Sequence, residues 1–413
     1  MDSNRGEPEI SSLSQLRADI PLTSNYIYLN SCTFGPVLQS VQRCMAAVLR
    51  AENEEIVAIR GKRPGVRFYD GAEKARHMVA KMLGVPAEDV AWVSNTTTAS
   101  RLAILSLDWQ AGDKLAVTDF EHLSTHRAAQ GLEQGRDVNV TVIPSAASEN
   151  SADETERSSY GGPDFFLEQL DRLLTPAHRL LVMSHVSNID GRRLPVAEAT
   201  RLARARGVKT LVDGAQSLGM FAVNAQEIGA EFYSGSVHKW LMGPPGIGFL
   251  AVSGEGKRGY NPFQLPRPLD GEGRIDHSQM TAAALTELGT PNYALRIGAG
   301  VCLETVRRIG LERIEKHCRL LTEQLRAGLQ RVPGVYVASP DAWEHSSSVT
   351  TIQLHEGSPA RCQQLVERLL DDYRIVVKFR PEICGVRIGV AAFNTADEIE
   401  QFLTAVARLA PQV

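Results

Sequence analysis

The chain has 413 residues, of which 43% are hydrophobic and 22% charged, and its formal net charge is −4. That length and apolar content support a large core shared by two domains, and a slightly acidic balance with scattered basic residues argues against a nucleic-acid partner. The six cysteines show neither C-x-x-C pairs nor a metal-ligand spacing, the N-terminus lacks the apolar core of a signal peptide, and no stretch approaches the roughly 18 apolar residues of a membrane span, so a cytoplasmic protein without metal or membrane is expected.

Residues 1–30 are polar apart from a weakly amphipathic SSLSQLRADI and read as an N-terminal arm. In NYIYLNSCTFGPVLQ a short β-like run meets a turn of small residues, and helical periodicity begins at Val37. Residues 58–70, AIRGKRPGVRFYD, read as a basic loop that either meets an acidic substrate or is simply solvated, and a helix is expected over 71–84. The strand DVAWVS then runs straight into NTTTASRLAIL. Hydroxyl and amide side chains at such a strand-to-helix turn suit an anion, and helix capping alone accounts for one of Asn95, Thr96, Thr97 and Thr98 but not for all four.

After the strand KLAVTD stands His122, preceded by Glu121; a lone histidine there is an ordinary loop residue or a proton carrier. The strand NVTVIP leads into residues 145–164, rich in Ser, Glu, Asp and Gly and read as a surface insertion. A helix, FFLEQLDRLL, and a strand, RLLVMSHV, follow; Asn188 just beyond either makes an Asx turn before Gly191 or faces a ligand. The apolar run of KTLVDGAQS ends in Asp213, and a carboxylate at the C-terminal end of a sheet strand points into the crevice where α/β proteins bind ligands. In EFYSGSVHKWLMGPPGIG an aromatic strand passes through small residues to Lys239 and a Gly-Pro turn; read alone, Lys239 is a surface lysine beside a turn, or a desolvated one whose neutral amine condenses with a carbonyl. With GFLAVS this makes seven strands between residues 90 and 253, most separated by helices, the pattern of a mainly parallel sheet covered on both faces.

DGAQS followed by S-x-H-K and GPPGIG resembles the class V, fold-type I family of pyridoxal-phosphate enzymes, which includes cysteine desulfurases, cysteine/cystine carbon–sulfur lyases and isopenicillin N epimerase. The resemblance implies an α/β fold-type I transferase: a large cofactor-binding domain over 31–300 with the seven-stranded sheet, and a smaller α+β C-terminal domain over 301–413. It implies pyridoxal 5′-phosphate as cofactor, with Lys239 as its Schiff-base residue, Asp213 at the pyridine nitrogen, His122 stacked over the ring, and Gln216 and Asn188 near O3′. Thr96, Thr97, Ser236 and His238 match its phosphate-contacting positions. Thr290, in GTPN, matches a threonine that crosses a dimer interface to the neighbouring subunit's phosphate, so a homodimer is implied. Arg387, an otherwise costly cation in a short apolar strand before NTADEI, is either a structural ion-pair partner or, by the resemblance, the clamp for a substrate α-carboxylate.

The substrate implied is an α-amino acid, and its Cα electrons, once the proton leaves, have several exits. A cysteine desulfurase of this family also carries a sulfur-accepting cysteine on a loop before the arginine. Here Cys362 reads as the start of a helix, and Cys384 stands three residues before Arg387 on what reads as its strand, so neither matches. The expectation is therefore β-elimination from cysteine, cystine or an S-conjugate. Transamination, epimerisation and carbon–carbon bond formation are the alternatives, with a desulfurase less favoured and a non-catalytic sensor least. Side-chain selectivity is sought in residues 31–35, 58–70 and the Gly- and Pro-rich 254–278.

Overall fold

All seven expected strands form, and they join one sheet. The computed structural model describes residues 10–56, 66–145, 162–263, 266–267, 269–276, 279–355 and 358–413. A two-residue strand β1 (Ile27–Tyr28) precedes β2 (Val90–Val93), β3 (Lys114–Thr118), β4 (Asn139–Ile143), β5 (His178–Ser184), β6 (Lys209–Asp213), β7 (Phe232–Ser236) and β8 (Gly248–Val252). Strands β2 to β8 lie in the order β2-β8-β7-β6-β5-β3-β4, and every pairing is parallel except those of β8, which runs against β2 and β7. Side chains alternate between two dry faces: Leu180, Val182 and Leu211 pack into one cluster, Leu181, Met183 and Val212 into the other. Burial on both faces is what makes such strands read as unbroken apolar runs.

A second sheet of four strands, in the order β12-β13-β10-β9, contains β9 (Val335–Val337), β10 (Val349–Leu354), β12 (Lys378–Arg380) and β13 (Gly385–Gly389), all antiparallel. Its core, with Ile352, Val386 and Ile388, is completed by Leu365 and Leu369 of the helix Pro359–Tyr373 and by Phe402 and Val406 of the helix Ala396–Leu409. The last of these helices opens with a capping box between Thr395 and Glu398.

The N-terminal segment is tied down rather than loose. Leu16 and Ile20 are buried, Arg17 bridges to Glu398 at 2.9 Å and to the Phe393 carbonyl at 2.9 Å, and β1 pairs in parallel with β11 (Ile375–Val376). The helix expected over 71–84 begins earlier, spanning Val66–Leu83. Gly71 does not interrupt it because it lies against Ile297, where a Cβ would come within 3.1 Å, and buried Phe68 packs with Ala294. The rest of the basic segment, 58–65, lies outside the described residues, as does most of the insertion, 146–161. Between the two sheets the chain runs through two helices, Tyr293–Ile309 and Leu311–Leu329, broken at Gly310 with φ 91°. Within 254–278, Tyr260 is buried and its hydroxyl meets Thr286 at 2.9 Å, so this stretch is anchored to the core.

Candidate active site

The C-terminal edge of the parallel strands carries the site. Asp213, the last residue of β6, stands between Ser184 of β5 and Ser234 of β7 in the strand register. Lys239 lies in the turn after β7. This turn is held by Met242 N–H donating to the Lys239 carbonyl at 3.2 Å and by Gly243 N–H donating to Val237 at 2.9 Å, with Met242 in the left-handed region at φ 55°. Gly35 N–H donates to the His238 carbonyl at 2.7 Å, and a Cβ at Gly35 would fall 1.9 Å from the Lys239 carbonyl, so no larger residue fits there. Lys239 and Asp213 line one cavity of about 320 Å³, and each acts on the other's ionisation. Burial lowers the Lys239 ammonium pKa to about 8, against the pull of Asp213; burial raises Asp213, against the Ala215 N–H and Lys239.

The helix Thr96–Leu105 begins at this cavity. Asn95 is its N-cap, accepting from Thr98 N–H at 2.8 Å, a bond worth about 1 kcal/mol. That leaves Thr96 and Thr97 unspent by the cap, and both line the cavity. Thr96 Oγ1, Ser236 Oγ and His238 Nδ1 are buried without a hydrogen-bonding partner. Burial, then Lys239, lowers His238 to about 4, so it is a neutral donor or acceptor here. His122 caps the helix Leu123–Arg136, its Nδ1 accepting from Ser124 N–H at 3.2 Å, which leaves the proton on Nε2. Burial, followed by Lys239, lowers its pKa and keeps that neutral form. Beneath it, the Glu121 carboxylate is buried, accepting from Ser184 N–H at 2.6 Å and Ser184 Oγ at 2.9 Å; burial, then Asp213, raises it to about 7.

A further wall comes from the second sheet, through Arg380 and Arg387. Arg387, on β13, is buried; Nη1 donates to the Asn188 carbonyl and Nη2 to Thr33 Oγ1 at 2.6 Å. Among its described contacts there is no carboxylate, so the structural ion pair considered for it does not form. Asn188 makes no Asx turn either: Ser187 Oγ takes the Ile189 N–H at 3.1 Å, while Asn188 Oδ1 accepts from Arg380 at 2.8 Å inside the cavity. Gln216 also lines the cavity, with its amide held by Trp240 Nε1 at 2.9 Å and the Cys32 carbonyl at 3.0 Å. Thr290 is apart from these residues, exposed just before the helix Tyr293–Ile309. Cys32 and Thr33 line the cavity, within the turn 31–35 where side-chain selectivity was sought; sequence reasoning missed Arg380, which in a charged edge strand gave no signal. No described residue of 254–278 lines the cavity.

Residues 27–402 match the Aminotransferase class-V family. The chain belongs to the aminotransferase class-V family. A probable cysteine desulfurase of Methanothermobacter thermautotrophicus is 30% identical over 326 residues, covering 78% of this chain and 76% of the relative. The cysteine desulfurase of Dickeya dadantii is 27% identical over 427 residues, 96% of either chain. Among solved structures, the cystine C–S lyase C-DES in complex with its product cysteine persulfide superposes with a TM-score of 0.81 at 22% identity, covering 94% of this chain and 99% of that one. The Escherichia coli cysteine desulfurase CsdA superposes with a TM-score of 0.79 at 23% identity, covering 97% and 99%. Both structures share the fold-type I architecture described above.

The cofactor of this class-V family, pyridoxal 5′-phosphate, fits the cavity. Three orphaned polar atoms, on Thr96, Ser236 and His238, gather near a helix N-terminus, which suits a phosphate. A lysine with a lowered pKa and a buried aspartate share the same space, which suits an aldehyde at one end of a pyridine ring and its nitrogen at the other.

Proposed function

We propose that this class-V enzyme uses pyridoxal phosphate to cleave a carbon–sulfur bond of an α-amino acid by β-elimination, with cysteine, cystine or a cysteine S-conjugate as substrate. The observation that carries the reading is the link from β12 to β13, a single 3-10 turn, Pro381–Ile383. A thiol that accepts sulfur has to reach the substrate, and here Cys384 closes that turn in the left-handed region, φ 46°, and does not line the cavity. It precedes β13 instead of lying on it as expected, because Gly385 is the first residue to pair. Cys362 is buried in the helix Pro359–Tyr373 with its thiol turned to the Cys384 carbonyl.

In this reading Arg387, with Thr33 and Asn188 fixing its plane, receives the α-carboxylate through its unpartnered Nε edge. The bound cofactor supplies an aldehyde for the substrate amine and a ring that takes up the electrons released at Cα. The Lys239 amine holds that aldehyde before substrate arrives and carries the Cα proton afterwards. Asp213 would keep a proton on the ring nitrogen, His122 would offer its Nε2–H to the cofactor, Thr96, Thr97, Ser236 and His238 would hold the phosphate, and Gln216 and Asn188 would be partners for the ring oxygen. The Cα–H and Cβ–S bonds break, the sulfur substituent leaves as a thiolate, and the released 2-aminoacrylate takes up water to give pyruvate and ammonia.

A second reading, cysteine desulfurase, is favoured by Cys32 in the cavity and by what the relatives are named. Against it, a Cβ at Gly389 would fall 2.4 Å from Cys32 Sγ, so that thiol is packed against β13, and burial raises its pKa away from the thiolate. Assaying products from cysteine and cystine decides: pyruvate and ammonia in equal amounts support elimination, alanine with a persulfide on the protein establishes the desulfurase, and α-proton exchange with inversion and no sulfide makes the protein an epimerase.

The homodimer belongs to the same proposal. Leu123, next to His122, and Leu288, two residues before Thr290, are each 58% exposed, and exposed apolar side chains of this size suit a partner's cover. By the resemblance to the class V family, a second copy would bring its Thr290 to the phosphate of this one. Sedimentation at micromolar concentration tests it.

A further inference from the structure

Two guanidinium groups enter the cavity, although an α-amino acid bound through one carboxylate needs one. Arg387 is committed to that carboxylate in the reading above. Arg380 stands on β12, the neighbour of β13, and has no assigned work. Its Nη2 donates to Asn188 Oδ1 at 2.8 Å and to Glu382 at 3.0 Å, while its Nε is buried with no partner. Glu382 balances little of this charge, because its side chain is 47% exposed and an exposed ion pair is weak. Asn188 fixes both arginines from one side, its side-chain oxygen on Arg380 and its main-chain oxygen on Arg387. Their remaining donors are thus kept for something that arrives.

The polar atoms read as the phosphate's holders lie on Thr96, Ser236 and His238, and none of them is bonded to Arg380. Arg380 is instead tied through Asn188 to Arg387, the residue read as the holder of the substrate carboxylate, and is grouped with it on that ground. Burial, then repulsion from Arg387, destabilises its charged form, and a second anion relieves both.

We propose that Arg380 determines specificity by pairing with a second anionic group on the substrate side chain, so that the preferred substrates are cysteine S-conjugates whose sulfur substituent ends in a carboxylate. The inference rests on the carbon–sulfur cleavage reading for the word cysteine, and on Arg380 alone for the second anion.

The test uses the holoenzyme and two nearly isosteric amino acids, S-carboxymethyl-L-cysteine and S-carbamoylmethyl-L-cysteine, which differ by one charge. Pyruvate release gives kcat/KM for each, and the change in cofactor absorbance gives Kd for each. The acid is expected to exceed the amide by about tenfold in both measures, the size of one well-placed charge-assisted contact. Arg380→Gln brings the ratio to about one, and Arg380→Lys, which keeps the charge, retains a preference for the acid. Equal values for the two compounds in the unmodified enzyme overturn the proposal, as does failure of both to bind. A fall by the same factor for both in Arg380→Gln also overturns it, making Arg380 a second holder of the α-carboxylate. If the glutamine variant does not fold, the wild-type and lysine ratios decide. Tighter binding of the acid with no pyruvate from either compound upholds the second anion and removes the cleavage reading instead.

Discussion

The floor of the cavity and its wall are built by different means. Asp213 and Lys239 issue from parallel strands buried on both faces, and the Lys239 turn is gripped by Gly35 against its own backbone. Arg380 and Arg387 issue from a small antiparallel sheet in which β12 is an edge strand, and they are held through side chains and a carbonyl from elsewhere, Thr33 and Asn188. A floor of this kind suits a permanent cofactor. A wall of this kind can change its charges without disturbing the core, so the roles proposed here divide chemistry from selectivity between the two regions.

The sharpest way to break that division is at Lys239. Lys239→Ala should cut turnover by at least about a thousandfold, since in the proposed reading the residue would both tether the cofactor and move the proton, while the wall still binds amino acids; steady-state rates beside absorbance titrations check this. Next, Arg387→Ala should weaken amino-acid binding by about a hundredfold, as expected for losing a buried charge partner, with the cofactor content by absorbance intact. Loss of cofactor in that variant would place Arg387 with the floor. A smaller effect follows from the Lys239 pKa, lowered by burial to about 8. Only the neutral amine captures an aldehyde, so uptake of pyridoxal phosphate by the cofactor-free protein should rise about tenfold from pH 7 to pH 9 and level off above, as followed by rapid-mixing absorbance. An inflection near the ordinary lysine value, 10.5, would mean that the floor does not desolvate this amine. Least of all, Cys384→Ser should leave sulfide release within about twofold, the range of a change away from the machinery. A collapse there would restore a sulfur-accepting role to the turn between β12 and β13.

The same contrast governs what the amino-acid sequence disclosed. Strands β2 to β8 were legible because burial on both faces writes continuous apolar runs, and Asp213 was legible as the acid that ends one of them. Lys239 stood out before a Gly-Pro turn that no helix can cross. Of the wall, Arg387 showed itself as a cation inside an apolar strand. Arg380 did not, because KFRPE reads like any charged edge and its partner Asn188 lies 192 residues away. Strand β1 showed as the short β-like run in NYIYLN, but its partner β11 was invisible for a similar reason: two residues carry no periodicity, and only pairing with β1 makes them a strand. The early start of the helix at Val66 depended on the fit between Gly71 and Ile297, a tertiary contact that overrides the local cost of glycine.

One short stretch joins the two regions. Residues 27 and 28 pair with β11, Asn30 bridges to Gly389 at the end of β13, Thr33 holds Arg387, the Cys32 carbonyl receives Gln216, and Gly35 presses on the peptide of Lys239. On the role proposed for Arg387, a carboxylate arriving there would bear on the same strap of main chain that clamps the lysine, and at Gly35 that strap has no room for a side chain.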